Sequence, residues 1–296
     1  MTVKKSQGER MPVVEIKQKL IKKIKKISAL PTLDASVQKI LEVAQNPKSS
    51  AAEMEEVISK DQSLSGKVLK IVNSAYYGFP RQISSISQAI VVLGFQAVKN
   101  LALTSSVKDM FRETHKGTLN MKALWLHSMA TAIASEIIAD YLGYQKKEEA
   151  FTAGLLHDIG KLVMNMFVPE LKEVVEKVEK EGLTFFEAEQ KILDVNHAVV
   201  GKYLLDNWNL PNPIVMAVLY HHEPMKAGDI LYADLVKFVH LADNLVKIKR
   251  YETVPNEKIK IEVDVWNALG MTPKTFALFY KGAREKIKKA RDVFHI

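Results

Sequence analysis

Cysteine is absent from the 296 residues, which excludes disulfide bridges, cysteine nucleophiles and thiolate metal sites. Any metal ion would therefore be held by imidazole and carboxylate groups. Long apolar runs are missing as well, because the apolar stretch 89–103 is interrupted by Gln96, Lys99 and Asn100. A membrane span needs about 18 or more apolar residues, so we expect no transmembrane segment and interpret this stretch as a buried helix.

The first 28 residues lack the apolar core of a secretory signal peptide, and we therefore expect a cytoplasmic protein. They hold nine basic and two acidic side chains, which account for seven of the eight net positive charges. Ile16, Leu20, Ile24 and Ile27 recur at helical spacing, so residues 1–28 are predicted to form a basic amphipathic helix. We favour a solvated helix that packs its apolar stripe on the rest of the protein. Alternatively, its basic side chains contact an anionic membrane, nucleic acid or an acidic partner.

Apolar residues after residue 28 recur at intervals of three and four positions, the spacing of one face of a helix. We therefore expect an all-α protein, folded as a compact helical array. Ser50 with Glu53 predicts a capping box, and Ser85 with Gln88 predicts the start of one long buried helix over 86–107. Farther along, helices are predicted at about 121–142, 147–163, 169–180, 184–194, 196–208, 212–222, 230–249 and 273–293.

The polar stretch 112–120, RETHKGTLN, predicts a boundary between two helical units. We expect an N-terminal helical subdomain over 29–115 to follow the basic segment 1–28. A second helical subdomain is expected over 116–296, ending in a C-terminal helix. The sequence shows neither internal repeats nor a low-complexity linker, so the two subdomains should pack directly against each other.

Residues 61–103 read as helix, turn and helix, which is also the pattern of a DNA-binding motif. The second helix of that motif must present polar and basic side chains to base edges. Here it is filled by Ile90, Val91, Val92, Leu93 and Phe95. Nucleic-acid recognition through this segment is therefore not expected.

The stretch GLLHDIGKLV, residues 154–163, places His157 beside Asp158 in an apolar run, with Lys161 one helical turn farther on. Adjacent side chains on a helix point about 100° apart, so both reach one ion only near a helix end, which Gly160 favours. Lys161 would share that rim and hold a phosphate oxygen. Taken alone, the stretch fits either a metal site or a hydrogen-bonded His–Asp pair in the core.

Further histidines lie in apolar helical patterns and not in polar loops: His127, His197 and the pair His221–His222. Pro213 at the first helical position, with Asn212 as its cap, predicts where the helix ending at that pair begins. Burial of several imidazoles in one protein favours a shared site over separate core positions.

Asp243 lies between Leu241 and Leu245, where an unpaired carboxylate would be costly. Lys247, four residues on, and His240, three residues back, are its local partners. We expect His240 to pack in the core or to orient Asp243, not to bind metal.

Five histidines and two aspartates from five predicted helices suffice for two divalent ions, with Asp158 bridging them. Imidazole and carboxylate ligands suit Fe, Mn, Co or Zn, and the residues alone do not choose among these metals. Two ions a few ångströms apart activate water and hold the oxygens of a phosphoester. The sequence therefore predicts a metal-dependent phosphohydrolase or phosphodiesterase that acts on a nucleotide-like phosphoester.

Taken in chain order, these seven residues resemble the HD superfamily of metal-dependent phosphohydrolases, with a spacing most similar to its HD-GYP phosphodiesterase branch. The upstream half is similar to the HDOD family, a helical signalling module related to HD domains. That similarity rests on ISALPTLDASVQKILEVAQNPKSS and on ISKDQSLSGKVLKIVNSAYYGFPRQISSISQAIVVLGFQAVKNLAL. Together the two resemblances cover about residues 20–250.

The resemblance implies the role of each residue. One ion would be held by His127, His157, Asp158 and Asp243, and the other by His197, His221 and His222, with Asp158 bridging both. Asp158 and Lys161 would be catalytic, since Lys161 matches the lysine that faces the phosphate. Two departures leave the substrate open: HHEPMKAGDILYAD lacks the Gly-Tyr-Pro loop, and Ala123 stands where a further carboxylate ligand can occur.

HDOD proteins are generally output or interaction modules, which implies a second hypothesis. The protein would then be a non-catalytic signalling scaffold whose ions tie helices together. The aromatic turn of Tyr76, Tyr77 and Phe79 would meet a signalling partner, although packing in the core explains these side chains more simply. Nucleic-acid binding through residues 1–28 is the third and weakest hypothesis.

Overall fold

The computed structural model describes residues 30–111, 117–228, 232–248 and 251–294. The basic helix predicted over 1–28 lies outside the described residues, as do positions 112–116 of the predicted boundary. Throughout the described ranges the regular structure is helical and contains no strand. The prediction of an all-α protein is confirmed.

The N-terminal part begins with five helices, of which the second, third and fourth are capped by short polar side chains. These helices are α1 (Ala35–Gln45), α2 (Ala51–Lys60), α3 (Gln62–Val72), α4 (Ile86–Leu93) and α5 (Phe95–Met110). The hydroxyl of Ser50 accepts a hydrogen bond from the Glu53 amide, and the Glu53 carboxylate accepts one from the Ser50 amide at 2.8 Å. This is the predicted capping box, and it fixes the start of α2.

The prediction of one long helix over 86–107 was wrong. The chain turns by 120° between α4 and α5, and Gly94 at the turn has a φ of +87°, which favours glycine because it has no Cβ. The buried part is α5, whereas Val91 of α4 is 82% exposed. Apolar periodicity continues across the turn and therefore does not reveal it.

The remaining helices surround one long central helix, α6, which packs against α7, α13 and α15. They are α6 (Met121–Tyr141), α7 (Lys147–Leu156), α8 (Ile159–Phe167), α9 (Leu171–Glu181), α10 (Phe185–Leu193), α11 (His197–Asn207), α12 (Asn212–Tyr220), a 3-10 turn (Pro224–Ala227), α13 (Ala233–Ile248), α14 (Val263–Ala268) and α15 (Pro273–Phe294). Helix α8 lies against α11, and α12 lies against α11 and α13.

Two details of the second half differ from the prediction. The helix predicted over 147–163 is interrupted after Leu156, so α7 and α8 are separate helices. Asn212 is not a cap, because α12 already includes it and its amide donates to the hydroxyl of Tyr232. Proline at the start of α12 still fits, since an amide hydrogen is not needed there.

The N-terminal helices pack directly on the second half. The indole of Trp208 donates to the carbonyl of Pro31 at 3.0 Å. Asn100 of α5 donates to the Glu148 carbonyl at 2.9 Å and accepts from the Thr152 hydroxyl at 2.8 Å. The division into subdomains near residue 112 stays a prediction.

No single helix in the described part of the chain has both the length and the apolar content to cross a membrane. Only α4 and α5 together reach them, and they are bent by 120°.

Candidate metal centre

His157 and Asp158 lie at the junction between α7 and α8, where the chain leaves one helix and enters the next. His157 follows the last residue of α7 and still has helical backbone angles, and Asp158 precedes α8 with its carboxylate free of any capping bond. This break frees the two adjacent side chains from helical geometry. Both can therefore turn toward the same point.

Gly160 explains how this junction approaches a third helix. A Cβ on Gly160 would lie 1.9 Å from the carbonyl oxygen of His197 and 2.7 Å from the amide nitrogen of Gly201. Only a residue without a side chain allows α8 to pack this closely on the start of α11. That close approach brings His197 to Asp158.

The structure brings all seven predicted ligands together. They come from α6 (His127), the α7–α8 junction (His157, Asp158), the first turn of α11 (His197), the end of α12 (His221, His222) and α13 (Asp243). His222 is half-buried and the other six are buried. Their roles as ligands stay predictions.

The first group of donor atoms surrounds Oδ2 of Asp158. Nε2 of His127 lies 3.3 Å from this oxygen and Nε2 of His157 lies 3.4 Å from it. Asp243 approaches from the other side, with its Oδ1 3.1 Å from Nε2 of His127 and 3.8 Å from Nε2 of His157. Two imidazoles and two carboxylates therefore converge.

The second group surrounds Oδ1 of the same aspartate. Nε2 of His197 lies 3.0 Å from this oxygen, and Nε2 of His221 lies 3.8 Å from it. His222 joins them, with its Nε2 2.9 Å from that of His197. Donor atoms of Asp158, His197, His221 and His222 all lie within 4.8 Å of one another. Asp158 thus offers one oxygen to each group.

The hydrogen bonds made by the two imidazole rings favour a cation in the first group. Nδ1 of His127 lies 2.8 Å from the Tyr251 carbonyl, and Nδ1 of His157 lies 2.8 Å from the Gly154 carbonyl. A carbonyl oxygen only accepts, so both Nδ1 atoms donate and both Nε2 atoms of the neutral rings carry lone pairs. These lone pairs face each other across 3.1 Å. A proton or a metal ion is required to stabilise them.

Two buried carboxylate oxygens support a metal ion over a proton. Oδ1 of Asp158 and Oδ1 of Asp243 are buried and accept no hydrogen bond from any described residue. A buried acceptor without a donor is costly, and one proton would satisfy only one of them. A divalent ion, which accepts oxygen and imidazole ligands together, fits these donors.

The charges around the site attract positive charge. Burial lowers the pKa of His127, but the adjacent carboxylates of Asp158 and Asp243 outweigh burial and the net shift is upward. Burial and the neighbouring imidazoles hold the pKa values of His221 and His222 well below 6.5. The last two rings are therefore neutral near pH 7, the form that binds metal.

Glu189 holds His197 in place, a role that the sequence analysis missed. Its carboxylate accepts from Nδ1 of His197 at 2.6 Å and from the His197 amide at 3.1 Å. This fixes the tautomer and makes Nε2 the free donor atom. Glu189 is fully buried on the same face of α10 as Phe185 and Ala188, and a carboxylate on an apolar stripe was the signal.

Lys247 and Glu257 support Asp243 in the same way. The Lys247 ammonium lies 3.1 Å from Oδ2 of Asp243 and 2.9 Å from the Glu257 carboxylate. Lys247 was expected as a local partner of Asp243. Glu257 lies outside any helix, where no periodic pattern points to it, and it also accepts from the Phe185 amide at 3.3 Å.

Lys161 is fully buried, with its ammonium 2.7 Å from Oδ2 of Asp158 and 4.7 Å from the centre of the Phe185 ring. Burial lowers its pKa, but the charges of Asp158 and Glu257 outweigh burial and raise it. Lys161 is thus a buried cation that keeps Asp158 ionised. Its predicted contact with a phosphate stays a prediction.

His240 does not orient Asp243 by a hydrogen bond. Its Nδ1 donates to the His221 carbonyl at 2.7 Å, and its Nε2 accepts from the Glu262 amide at 3.1 Å. Both ring nitrogens are engaged, so this neutral imidazole has no lone pair left for a metal ion. It instead holds the backbone of His221.

A cavity of about 450 Å³ opens beside the cluster. We call it the site cavity. Among the predicted ligands, His222 and Asp243 line it, and so do four lysines, Lys226, Lys247, Lys258 and Lys260. The site cavity is therefore the route by which a small molecule would reach the cluster.

The family model of the HDOD domain matches residues 30–224, more than half of the chain. The chain belongs to the HDOD family. Asp243 and the supporting Lys247 and Glu257 lie beyond the matched residues.

This HDOD chain is 27% identical over 236 residues to an uncharacterized protein of Treponema pallidum (strain Nichols), which is 79% of this chain and 45% of that protein. It is 26% identical over 181 residues to Ribonuclease Y of Geobacter sulfurreducens, which is 60% of this chain and 28% of that protein. The chain therefore spans less than half the length of these curated relatives.

A solved structure shows the same HDOD fold. It is an HDOD domain protein of unknown function from Geobacter sulfurreducens, 27% identical, with a TM-score of 0.78 over 94% of this chain and 96% of that chain. A Shewanella amazonensis SB2B structure, whose name proposes a phosphohydrolase, is 23% identical with a TM-score of 0.69 over 91% and 97%. That likeness shows the fold alone. The resemblance to HDOD proteins predicted from the sequence is confirmed.

Proposed function

We propose that this HDOD protein binds two divalent metal ions, Fe or Mn first, and hydrolyses a nucleotide-like phosphoester. The two groups of donors that share Asp158 carry the proposal. In the first, lone pairs on Nε2 of His127 and His157 face each other across 3.1 Å. In the second, Nε2 of His197 and His222 lie 2.9 Å apart.

When bound, the ions would supply a Lewis acid for the phosphoester and an activated water. The chain's own residues hold that site rigid. Asp158 offers one oxygen to each group, Glu189 orients His197, and Lys161 keeps Asp158 charged. Positioning of this kind is needed because misplacement by about 1 Å costs much of the rate.

The site cavity supports a phosphoester as the substrate class. Both signs of charge line it, with the lysines Lys226, Lys247, Lys258 and Lys260 and the carboxylates Glu187, Glu223, Asp243, Glu262 and Asp264, so the charge offered to a phosphate depends on which lysines are already paired. Lys247 is paired with Asp243 and Glu257. Lys226 is paired with Glu223 at 2.6 Å and Lys260 with Glu262 at 3.1 Å. Lys258 is exposed and is the cation that we propose to meet the phosphate first.

One observation favours a second function, a non-catalytic signalling scaffold. Lys161 and the first donor group are buried, and Lys161 is not among the residues of the site cavity. In that case the role of the ions would be to hold α6, α8, α11 and α13 together.

The predicted partner surface of the scaffold is smaller than expected. The side chains of Tyr76, Tyr77 and Phe79 are half-buried against the core and leave less apolar surface for a partner.

Metal analysis followed by a turnover assay tests both. The protein is purified with added Fe or Mn, and bis(p-nitrophenyl) phosphate and a panel of nucleotides are offered. The hydrolase predicts bound metal and turnover that are lost together in Asp158→Ala and kept in Asp206→Ala, an exposed aspartate. Bound metal without turnover would favour the scaffold, and protein that takes up no metal would refute both functions.

We further propose that the protein acts in the cytoplasm.

A further inference from the structure

A second cavity, of about 520 Å³, lies where the N-terminal helices meet the second half. We call it the interhelix cavity. Helices α1 and α5 form one side, and α7 with the start of α12 forms the other. None of the seven predicted metal ligands lines it.

Lys99 of α5 lines this cavity and is only 7% exposed. Within the described residues its ammonium has neither a hydrogen-bond acceptor nor a carboxylate at ion-pair distance. Lys161 and Lys247, the other two buried lysines, both have such partners. Nζ of Lys99 is not among the fully buried unpaired atoms, so it still reaches the open space of the cavity. An ammonium that has lost most of its water without gaining a partner is unfavourable, and a ligand in the cavity could pair with it.

The surroundings of Lys99 hold it in place without neutralising it. The next residue, Asn100, is fixed by its hydrogen bonds to Glu148 and Thr152. Glu148 and Glu149 also line the cavity and act on Lys99 only from a distance, while Glu149 is paired with Lys146 at 3.3 Å. Burial therefore dominates and lowers the pKa of Lys99.

A second feature on the same helix favours an anion. Helix α5 has 16 residues, begins after Gly94, and has no side-chain cap. Gln96 in its first turn lines the cavity, three residues before Lys99 and hence on the same face. The start of a helix carries a partial positive charge and unpaired amide hydrogens.

We propose that the interhelix cavity binds a small organic anion, a carboxylate or phosphate with a compact apolar body, whose charged group pairs with Lys99. The apolar body of the ligand would lie between Leu41 on one wall of the cavity and Leu210 and Ile214 on the facing wall. The volume lies in the range of about 300–1,000 Å³ that is usual for small-molecule sites. The ligand would touch both halves of the protein and stabilise their contact.

Titration calorimetry with octanoate and with phenyl phosphate tests the site, and the two probes distinguish the carboxylate from the phosphate. Inorganic phosphate and octanamide are the comparisons that lack the apolar body or the charge. At least one probe should bind to the wild-type protein. Lys99→Met should weaken this binding about tenfold or more, because a charge-assisted hydrogen bond is lost.

The same substitution distinguishes a binding residue from a structural one. Methionine removes a buried, unpaired charge and keeps the length of the side chain, so Lys99→Met should raise Tm by about 2 °C or more. The control is Lys60→Met, an exposed lysine of α2 that does not line the cavity, which should leave both Tm and binding nearly unchanged.

Three results would overturn the proposal: neither probe binds, Lys99→Met binds as tightly as the wild type, or Lys99→Met lowers Tm. The last result would mean that Lys99 is a structural partner of Glu148 or Glu149. None of these readouts depends on bound metal or on phosphoester turnover.

Discussion

The metal cluster and the interhelix cavity both bury charged side chains, but they differ in how the charges are matched. In the cluster, Lys161 contacts Asp158 and Lys247 contacts Asp243 and Glu257 at hydrogen-bond distance. In the interhelix cavity, Lys99 has no such contact among the described residues. The buried lysines of the first region are matched by carboxylates of the chain itself, whereas Lys99 in the second region leaves a cation that a ligand could match.

This difference predicts how the stability of the protein responds to substitutions in each region. A buried ion pair costs stability mainly when one partner is removed, so the cluster should be sensitive to substitution. A buried charge without a partner already costs stability, so its removal should help folding and harm only binding. The following predictions test that contrast, from the largest effect to the smallest.

Asp158→Ala should have the largest effect, because it removes an oxygen from each donor group and leaves Lys161 buried without a partner. We expect a loss of about 3–5 kcal/mol in the free energy of unfolding, measured by urea denaturation, and loss of all bound metal. Asp158→Ala with Lys161→Met should recover part of the stability but none of the metal. Unchanged metal content in Asp158→Ala would refute the shared site.

Gly160→Ala should separate α8 from α11, because the new Cβ would lie 1.9 Å from the His197 carbonyl. We expect about 1–3 kcal/mol of destabilisation and weaker metal binding at the group that contains His197. Gly66→Ala is the control, since Gly66 is also helical but has nothing within 4 Å of its added Cβ. It should be neutral or stabilising, by about 0.5–1 kcal/mol. Equal effects of the two substitutions would contradict the close approach.

Glu189→Gln keeps the shape of the side chain and removes the charge that holds His197. Substitution of such an outer partner lowers metal affinity by about 10–100-fold. We expect this loss at the group of His197, His221 and His222 and not at the group of His127, visible in a two-step metal titration. Glu176→Gln, on the exposed face of α9, should change neither step. A uniform loss at both groups would mean that the two sites are not separable.

The pH dependence of stability gives the smallest and most specific effect. Lys99 has a pKa below 10.5 because of burial, opposed by Glu149 and Glu148. Between the lowered pKa and 10.5, the unfolded chain binds one more proton than the folded protein, so stability should rise with pH. Lys99→Met should lack this rise when urea denaturation is followed from pH 8 to pH 10.5. The same slope in both proteins would show that Lys99 has a partner.

Local sequence patterns predicted the helices well where a polar residue marks the boundary. Ser50 with Glu53 located the start of α2, and the apolar periodicity located α6 and α13 within a few residues. The turn at Gly94 was missed because the apolar pattern runs through it, and the short helix α14 was missed because it has too few turns to show a period.

For the candidate site too, some residues could be predicted from local sequence patterns and others could not. His127 and Asp243 were singled out because polar groups in apolar helix patterns need partners. Glu257 was missed because its contacts depend on where a non-helical segment crosses the cluster. Neighbours of this kind depend on the packing of distant helices.

The sequence by itself determined the chemistry available to this protein: helices throughout, no thiolate, and imidazoles with carboxylates in apolar surroundings. Only the tertiary structure decided that those groups meet. Nδ1 of His127 bonds to the carbonyl of Tyr251, 124 residues away in the chain, and Nε2 of the same ring faces His157. Periodicity fixes which face of a helix is buried, but the packing of one helix on another fixes which atoms converge on that face.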